Sequence, residues 1–548
     1  MTMDIQGDIP PIMIVGAGPS GLALAIELGS RAIPCIVIEK NDRVGVAPRA
    51  KLTNVRTREH LRRWGIAKTL AEEAPLGVDY PSNIVFLARL GGELITRFEN
   101  AFSCAPEQDQ RYSEHAQWIP QYKLETVLLR KITTLPSVRV AMGRELLNIN
   151  QDGDQVNVKI RDNATGEEQT LTCSYLVGAD GARSTVRELL GIEMEGKYGL
   201  SYNFNIIFEA PGLDKAHPHG PGIHYWQLNK DVPSTIGPMD AGDRWYFMPM
   251  GLKEGEKIAI EDAPDLIRRA TGIDLPYRVL SSDSWVASKL LAKEYSKGRV
   301  FLIGDACHLH PPFGGHGMNM GVGDSVDLGW KLSAVMKGWG DPSLLDTYEA
   351  ERRPVHERVL DETVKNHSGA ADKLFHDGIE DISEQGNKVR EQVAEFIHDT
   401  KPGEFFSLNI VLGYSYLGSP IILSDQSDPP EWIPETQYVP SAQAGSLAPH
   451  RWLADGSSLY DKFGMGFTLL LLDAECRGEA DKIADQAKAL GVPFDVAEVS
   501  DPAVLQLYQA PLALIRPDQH VAWRGNAAPA NLIGRVTGHS SSEVARSV

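Results

Sequence analysis

Three glycines at the spacing Gly16-x-Gly18-x-x-Gly21 separate the apolar run Ile12-Met-Ile-Val15 from a helical stretch, Leu22 to Leu28. In that context the first glycine permits a tight turn and the second lets the backbone approach a pyrophosphate. The third allows close strand–helix packing, and the helix N-terminus faces the phosphates. Pro19 and Ser20 lie inside the same turn and share its candidate role. A second apolar run, Cys35-Ile-Val-Ile38, is closed by Glu39 and Lys40. A carboxylate about 20 residues past such a turn is placed to bind ribose hydroxyls. The pattern predicts a dinucleotide site without choosing which dinucleotide.

Two later apolar runs each end in an aspartate, in Gly178-Ala-Asp180-Gly181 and Gly304-Asp305. An aspartate at a strand end can hold the hydroxyls of a ribityl chain, a group that nicotinamide dinucleotides lack. Asp305 leads into His310-Pro-Pro-Phe-Gly-Gly-His-Gly-Met-Asn-Met320. The run Gly314 to Gly317 is expected to open a helix beginning near Val322. Its amides and helix dipole would favour a reduced flavin anion. Gly317, Met318 and Asn319 are candidate cofactor contacts at that helix start. Any one of these motifs is explained by an Asp-Gly turn or an acidic cap, but together and in this order they point to FAD. His308, His310 and His316 share no metal-ligand spacing on one helical face, so loop packing is expected of them and no metal site.

The elements that must carry these residues read as an α/β chain. At 548 residues it is too long for one compact core, and two to four domains are expected. Residues 1–75, 116–188 and 289–400 are assigned to a discontinuous nucleotide-binding domain with following helices. Residues 76–115 and 189–288 form a second domain. Its stretch Tyr202 to Ser288 alternates and is rich in aromatics, which predicts an antiparallel sheet. Within it, His224, Tyr225, Trp226 and Phe247 are candidate pocket-wall residues, although alternation aims only one residue in two at a pocket. Residues 401–447 read as a turn-rich linker, and 448–548 as a last α/β domain.

Composition narrows the partners. A net charge of −19 disfavours nucleic acid or an anionic membrane surface. The five cysteines are scattered without a C-x-x-C pair, and the N-terminus shows no basic-then-apolar leader. No run approaches the roughly 18 apolar residues of a membrane span. A cytoplasmic protein is expected.

Taken together, the glycine turn, the two aspartates and the glycine-rich loop resemble the class A flavoprotein monooxygenases of the para-hydroxybenzoate hydroxylase fold, over about residues 10 to 380. The resemblance implies that Glu39 binds the adenosine ribose. It places Asp180 near the pyrophosphate and the nicotinamide route, and Asp305 on the ribityl chain. Arg49, in Pro48-Arg-Ala50, and Gln121, in Ile119-Pro-Gln121, match positions that touch FAD in such enzymes. Pro449-His-Arg-Trp-Leu453, Gly464 to Leu470 and Ile515 to Trp523 resemble the thioredoxin-like C-terminal domain of the phenol hydroxylase and 2-hydroxybiphenyl monooxygenase subgroup. That domain implies a structural role and leaves a homodimer open.

The implied chemistry is NAD(P)H- and O2-dependent hydroxylation of a small phenolic or related aromatic through a flavin C4a-hydroperoxide. Pro312, Gly314 and Gly315 would line the pocket above the flavin. Lys51 stands where the family has an Asp or a His. It is a candidate base, a holder of a phenolate or carboxylate, or an ordinary lysine. Baeyer–Villiger, dearomatising and antibiotic-modifying oxidations stay open, as does a non-catalytic FAD scaffold.

Overall fold

The structure, a computed structural model, describes residues 10–42, 50–240, 242–368, 374–424 and 436–539. Its first layer is a six-stranded sheet in the order Ser296–Lys297, Val300–Leu302, Tyr175–Gly178, Ile12–Val15, Cys35–Glu39, Val138–Met142. All pairings in it are parallel except the short edge pair 296–297 with 300–301. Every residue of Ile12–Val15 and Tyr175–Gly178 is buried, as expected of strands covered on both faces. Helices Pro19–Ser30, Gln121–Ile132 and Gly317–Met336 pack together over this sheet.

The second sheet has eight strands, in the order His308–Leu309, Arg278–Ala292, Met194–Glu209, Arg244–Pro249, Ser234–Pro238, His224–Gln227, Ile84–Leu87, Leu94–Phe98. It is antiparallel as the alternation predicts, with one exception. His224–Gln227 runs parallel to Ile84–Leu87. Parallel neighbours need a long crossover, and here the chain returns through the first sheet before rejoining its partner. A three-stranded antiparallel sheet, Arg144–Asp152, Gln155–Asp162 and Glu168–Cys173, stands beside the first layer.

The last domain is a four-stranded sheet, Phe494–Glu498, Phe467–Leu471, Leu512–Ile515 and Val521–Gly525, with one parallel pair and helices on both faces. This is the thioredoxin-like arrangement. It docks on helix Gly317–Met336 and the turn after it, where Trp330 and Trp339 respectively pack against Phe467. Residues 401–424, expected to be linker, instead form the short helices Pro402–Phe405 and Leu408–Leu412 and bury Tyr414 and Tyr416. Their apolar side chains are sandwiched between domains, which turn-residue counting does not reveal.

A buried ionic cluster ties the last domain down. The Arg516 guanidinium donates to Glu351 at 2.7 and 2.8 Å, to Asp327 at 3.1 Å and to Asp518 at 2.6 Å. Lys331 reaches Asp327 and Glu351 at 2.8 and 2.7 Å. Arg56 donates to Gln519 Oε1 at 2.6 Å and to the Asp518 carbonyl at 2.7 Å. The three carboxylates of this group already have two cations among them.

Candidate active site

The glycine turn has the shape that a pyrophosphate requires. Gly16 has φ 109°, and a Cβ there would lie 2.3 Å from the Ala179 carbonyl oxygen. A Cβ on Gly21 would lie 2.0 Å from the Gly16 oxygen. Gly18 is different, because a Cβ on it would meet nothing within 4 Å. It is the N-cap of helix Pro19–Ser30, which has no side-chain cap and no acid in its first turn. An open face in front of uncapped amides suits an anion. The residues present therefore fit the dinucleotide's phosphates.

The flanking groups sit on the same rim. Glu39 accepts from the Ala17 amide at 2.9 Å and from the Asn41 amide at 2.9 Å, which fixes its carboxylate beside the turn. Lys40 is exposed, and its carbonyl accepts from Asn163. Ser20 is wedged between Gly304 and Gly321, whose added Cβ atoms would lie 2.5 and 2.3 Å from its hydroxyl. That contact brings the exposed Asp305 to the start of the first helix. Asp180 has a structural occupation. It accepts from the Val186 amide at 3.1 Å and from the Ser184 hydroxyl, anchoring helix Thr185–Leu190, and burial raises its carboxyl pKa. Arg49 lies outside the described residues. Gln121 clamps Ala50, next to it, through a 2.9 Å bond from its amide to the Ala50 carbonyl.

The loop from His310 leads past an exposed Pro312 into the turn Phe313–Gly315, with Gly314 at φ 75°. The helix then starts at Gly317, the last glycine of the run and five residues before Val322, while Gly314 and Gly315 keep left-handed backbone ahead of it. The Asn319 side chain donates to the Leu52 and Gly315 carbonyls at 2.9 and 2.8 Å and accepts from the Asn54 amide at 2.9 Å. It positions the loop against the strand that follows Lys51, leaving little of itself for a cofactor. Met318 is half-buried against the main core. His316 packs under Gly314, and burial pushes its pKa down to about 4.

Behind this loop lies a histidine–carboxylate chain. Asp324 accepts from the Gly304 amide at 3.0 Å and from Arg352 Nε at 2.8 Å, and it bonds His308 Nε2 and His356 Nε2 at 2.8 Å each. Burial opposes ionisation of Asp324, but His356, Arg352 and His308 outweigh it and hold the carboxyl well below its usual range. His310 Nδ1 lies 3.2 Å from His308 Nδ1. Nitrogens of His308, His310 and His356 come within 4.8 Å of one another. The His308 and His356 rings, however, stack at 3.8 Å and 21°. Both Nε2 atoms are already bonded to Asp324, so the group reads as a hydrogen-bonded brace for Gly304 and the loop.

The second sheet presents an aromatic strip. His224 and Trp226 share one face, with ring centroids 5.6 Å apart, and Tyr246 stacks on His224 at 5.9 Å. His224 Nδ1 and the Tyr246 hydroxyl share a short hydrogen bond. They meet across strand Ser234–Pro238 because Gly237 leaves the gap. A Cβ there would fall 2.6 Å from the Tyr246 hydroxyl oxygen. Alternation sends Tyr225 and Phe247 to the opposite face, where they pack with Ile206, Phe208 and Ile267 as core. Of the four candidate wall residues, His224 and Trp226 face the strip, and Tyr246 was the missed member.

A lysine stands at each end of the strip. Lys51 Nζ lies 4.0 Å over the Tyr246 ring, with no hydrogen bond or carboxylate partner among the described residues, and burial lowers its pKa to about 8. Lys401 Nζ lies 5.0 Å over the Trp226 ring and 5.9 Å from the Phe313 ring on the glycine-rich loop. It pairs with Glu404 at 2.8 Å. Burial, reinforced by Lys51 and Lys401, drives the His224 pKa down to about 3 and keeps the ring neutral. Lys401 is the first residue of the segment assigned to linker, and no local motif marks it.

Comparison with known proteins agrees with this geometry. The family described as FAD binding domain matches residues 10–363, and the one described as aromatic-ring hydroxylase, C-terminal, matches residues 441–539. The chain is 31% identical to tetracenomycin A2 monooxygenase-dioxygenase of Streptomyces glaucescens, over 96% of this chain and 95% of that protein. It is 29% identical to 2,4-dichlorophenol 6-monooxygenase of Cupriavidus pinatubonensis, over 97% and 96%. The solved structure of the rebeccamycin biosynthetic enzyme RebC with reduced flavin superposes with a TM-score of 0.89 at 31% identity, covering 98% of this chain and 100% of that one. Among the described residues no helix is long and apolar enough to cross a membrane. The chain belongs to the FAD-binding-domain family of aromatic-ring hydroxylases and is an FAD-dependent monooxygenase that uses NAD(P)H and O2.

Proposed function

We propose that the enzyme hydroxylates a phenolic ring laid on the Tyr246–His224–Trp226 strip, with the ring hydroxyl at Lys51. The observation that carries this reading is Lys51 itself, a half-buried amine with no acid beside it among the described residues and a pKa lowered to about 8 by burial. A phenol delivered there can pass its proton to Nζ, leaving an ammonium–phenolate pair whose ring is more nucleophilic. The neutral His224 and the Tyr246 hydroxyl fix the floor. Pro312, Gly314 and Gly315 would line the side of the pocket that faces the cofactor.

Gly16, Gly18, Pro19, Ser20 and Gly21 would hold the pyrophosphate of FAD, Glu39 and Lys40 its adenosine end, and Gln121 with Arg49 the adjoining wall. Asp305, with Gly317 and Met318, would hold the flavin end. Asp180 and Asn319 act as positioning residues in this reading. Bound FAD supplies the electron transfer from NAD(P)H and the activation of O2. The curated relatives named above bear the names of a polycyclic aromatic and a chlorophenol, which supports a phenolic substrate of open ring count.

The test is a panel of phenols with purified holoenzyme, following NADPH and NADH oxidation against product. Stoichiometric hydroxylated product supports the reading. NAD(P)H loss giving only hydrogen peroxide with every phenol refutes it. The five free thiols support a cytoplasmic setting, and sedimentation of the holoenzyme tests whether it pairs with a second copy.

A further inference from the structure

Strand Ser234–Pro238 ends in a residue that cannot donate a backbone hydrogen bond. Counted outward from the register pair Tyr225–Ile236, Ile223 falls opposite Pro238. Proline has no N–H, so the ladder leaves the Ile223 carbonyl without its strand partner. Ile223 is 1% exposed, and a buried carbonyl must find its donor elsewhere. The Tyr246 hydroxyl takes that place and donates to it at 3.1 Å. Gly237 leaves the passage open, since a Cβ there would lie 2.4 Å from the Ile223 oxygen and 2.6 Å from the tyrosine hydroxyl.

The same hydroxyl is bonded to His224 Nδ1. A hydroxyl has one proton to give, and burial keeps it on Tyr246 by raising that pKa well above its usual value. With the proton directed at Ile223, the tyrosine oxygen can only accept from His224, so Nδ1 carries the imidazole hydrogen. Burial, reinforced by Lys51 and Lys401, lowers the His224 pKa to about 3, so the ring holds one hydrogen and no more. Nε2 is left as a bare lone pair. A proline on the neighbouring strand thus sets the tautomer of a histidine on the strip.

His224 Nε2 has no hydrogen-bond partner among the described residues. The ring is half-buried and shares its face with Trp226, while Lys51 stands over the adjacent Tyr246 ring. The strip therefore offers two unlike groups, an amine that takes up a proton and a neutral nitrogen that only accepts. A phenolate oxygen held at Lys51 cannot also satisfy Nε2, because two lone pairs would then face each other.

We propose that His224 is a specificity-determining residue whose Nε2 accepts a hydrogen bond from a second ring substituent of the substrate, one that keeps its proton while the hydroxyl at Lys51 gives its proton up. The substituent is a neutral O–H or N–H. An ether oxygen, a halogen or a carboxylate in its place is disfavoured, since each leaves Nε2 unpaired. Tyr246 is the positioning residue, acting by fixing the tautomer through the Ile223 carbonyl. The inference rests on the reading of the strip as the substrate floor.

The tautomer is tested first, without substrate, by nitrogen NMR of holoenzyme carrying isotope-labelled histidine, with His224 assigned from its loss in His224→Phe. A hydrogen on Nδ1 and a pyridine-type resonance at Nε2 are expected; a hydrogen on Nε2 overturns the inference. Specificity is then read on the holoenzyme from binding of the benzenediols, their monomethyl ethers and the aminophenols, by flavin absorbance and calorimetry. One neutral hydrogen bond predicts that the preferred diol binds about tenfold tighter than its ether. The aminophenols show whether N–H serves as well as O–H. His224→Phe should bring the diol-to-ether ratio to within about twofold, and Tyr246→Phe, which frees the tautomer, should lower it several-fold and put hydrogen on both nitrogens in exchange. Lys51→Met should weaken diol and ether alike and leave the ratio. A wild-type ratio within about twofold, or a His224→Phe variant that keeps the full preference, overturns the role of His224. If that preference is missing while Lys51→Met still weakens the ethers, only His224 loses its role. If the ethers ignore Lys51→Met, or no probe binds, the floor reading fails and the inference with it.

Discussion

Lys51→Met is the substitution that weighs the proposed chemistry most directly. Burial lowers the Lys51 pKa from 10.5 to about 8, so the folded protein disfavours the ammonium by about 3 kcal/mol at about 1.4 kcal/mol per pH unit, less whatever partial solvent access removes. The sign follows from linkage. A base with a depressed pKa weakens the fold below pH about 8, and the penalty fades as pH rises from about 8 toward 10.5. The methionine variant should therefore hold or gain stability at neutral pH.

Catalysis should move the other way. A phenol of ordinary pKa about 10 lies two units above Lys51, so proton transfer to it costs about 3 kcal/mol before the charges interact. An ammonium–phenolate pair about 3 Å apart at an effective dielectric of 20 recovers about 5 kcal/mol. The pair wins by a margin worth more than a factor of ten. The expected result is a kcat/KM for hydroxylated product that rises through pH about 8 in the wild type. In Lys51→Met that limb should vanish, with kcat/KM lower by about a hundredfold. The assay is product formation by chromatography between about pH 6 and about pH 10, with peroxide measured alongside. A variant that keeps the limb near pH 8, or stays within about threefold of wild type, would refute the role given to Lys51.

Other perturbations separate folding from cofactor retention. Gly18→Ala adds a Cβ that meets no protein atom within 4 Å; the chain should fold, by circular dichroism, yet emerge from gel filtration with little flavin. Gly16→Ala drives a Cβ to 2.3 Å from the Ala179 oxygen and should lower the melting temperature even without flavin, so equal melting of the two apo-variants would contradict the assignment. Asp305→Ala removes the exposed carboxylate beside Ser20 and should weaken FAD retention about tenfold or more, measured as flavin per protein after dialysis; full occupancy would remove Asp305 from the site. Arg516→Met leaves Glu351, Asp327 and Asp518 with one fewer cation and should cost about 3–5 kcal/mol, seen by calorimetry as earlier unfolding of the C-terminal domain; an unchanged endotherm would mean that apolar docking at Trp330 holds it alone.

The residues proposed for the cofactor were legible because they stand in local patterns. A phosphate-binding turn needs glycines at fixed offsets and a strand before a helix, all within about 30 residues. Asp180 and Asp305 follow the same logic at strand ends, although the structure gives Asp180 to a helix cap. The substrate half was only half legible. Alternation restricts which of His224, Tyr225 and Trp226 share a face, but register with neighbouring strands decides which face meets the loop. That register gives Tyr246 to the strip and Phe247 to the core. Gly237 gained its meaning only as the gap between two rings.

Sequence alone determined the cofactor class and the suspicion attached to Lys51, since each follows from side-chain types at short spacing. Tertiary structure alone decided that Lys51 has no acid beside it among the described residues and that Lys401, from a segment read as linker, lies at the other end of the strip. It also decided that Arg516 locks the last domain onto helix Gly317–Met336. Those facts depend on residues hundreds of positions apart, and what sets them is burial, which fixes both the partners a charge can find and the charge it can keep.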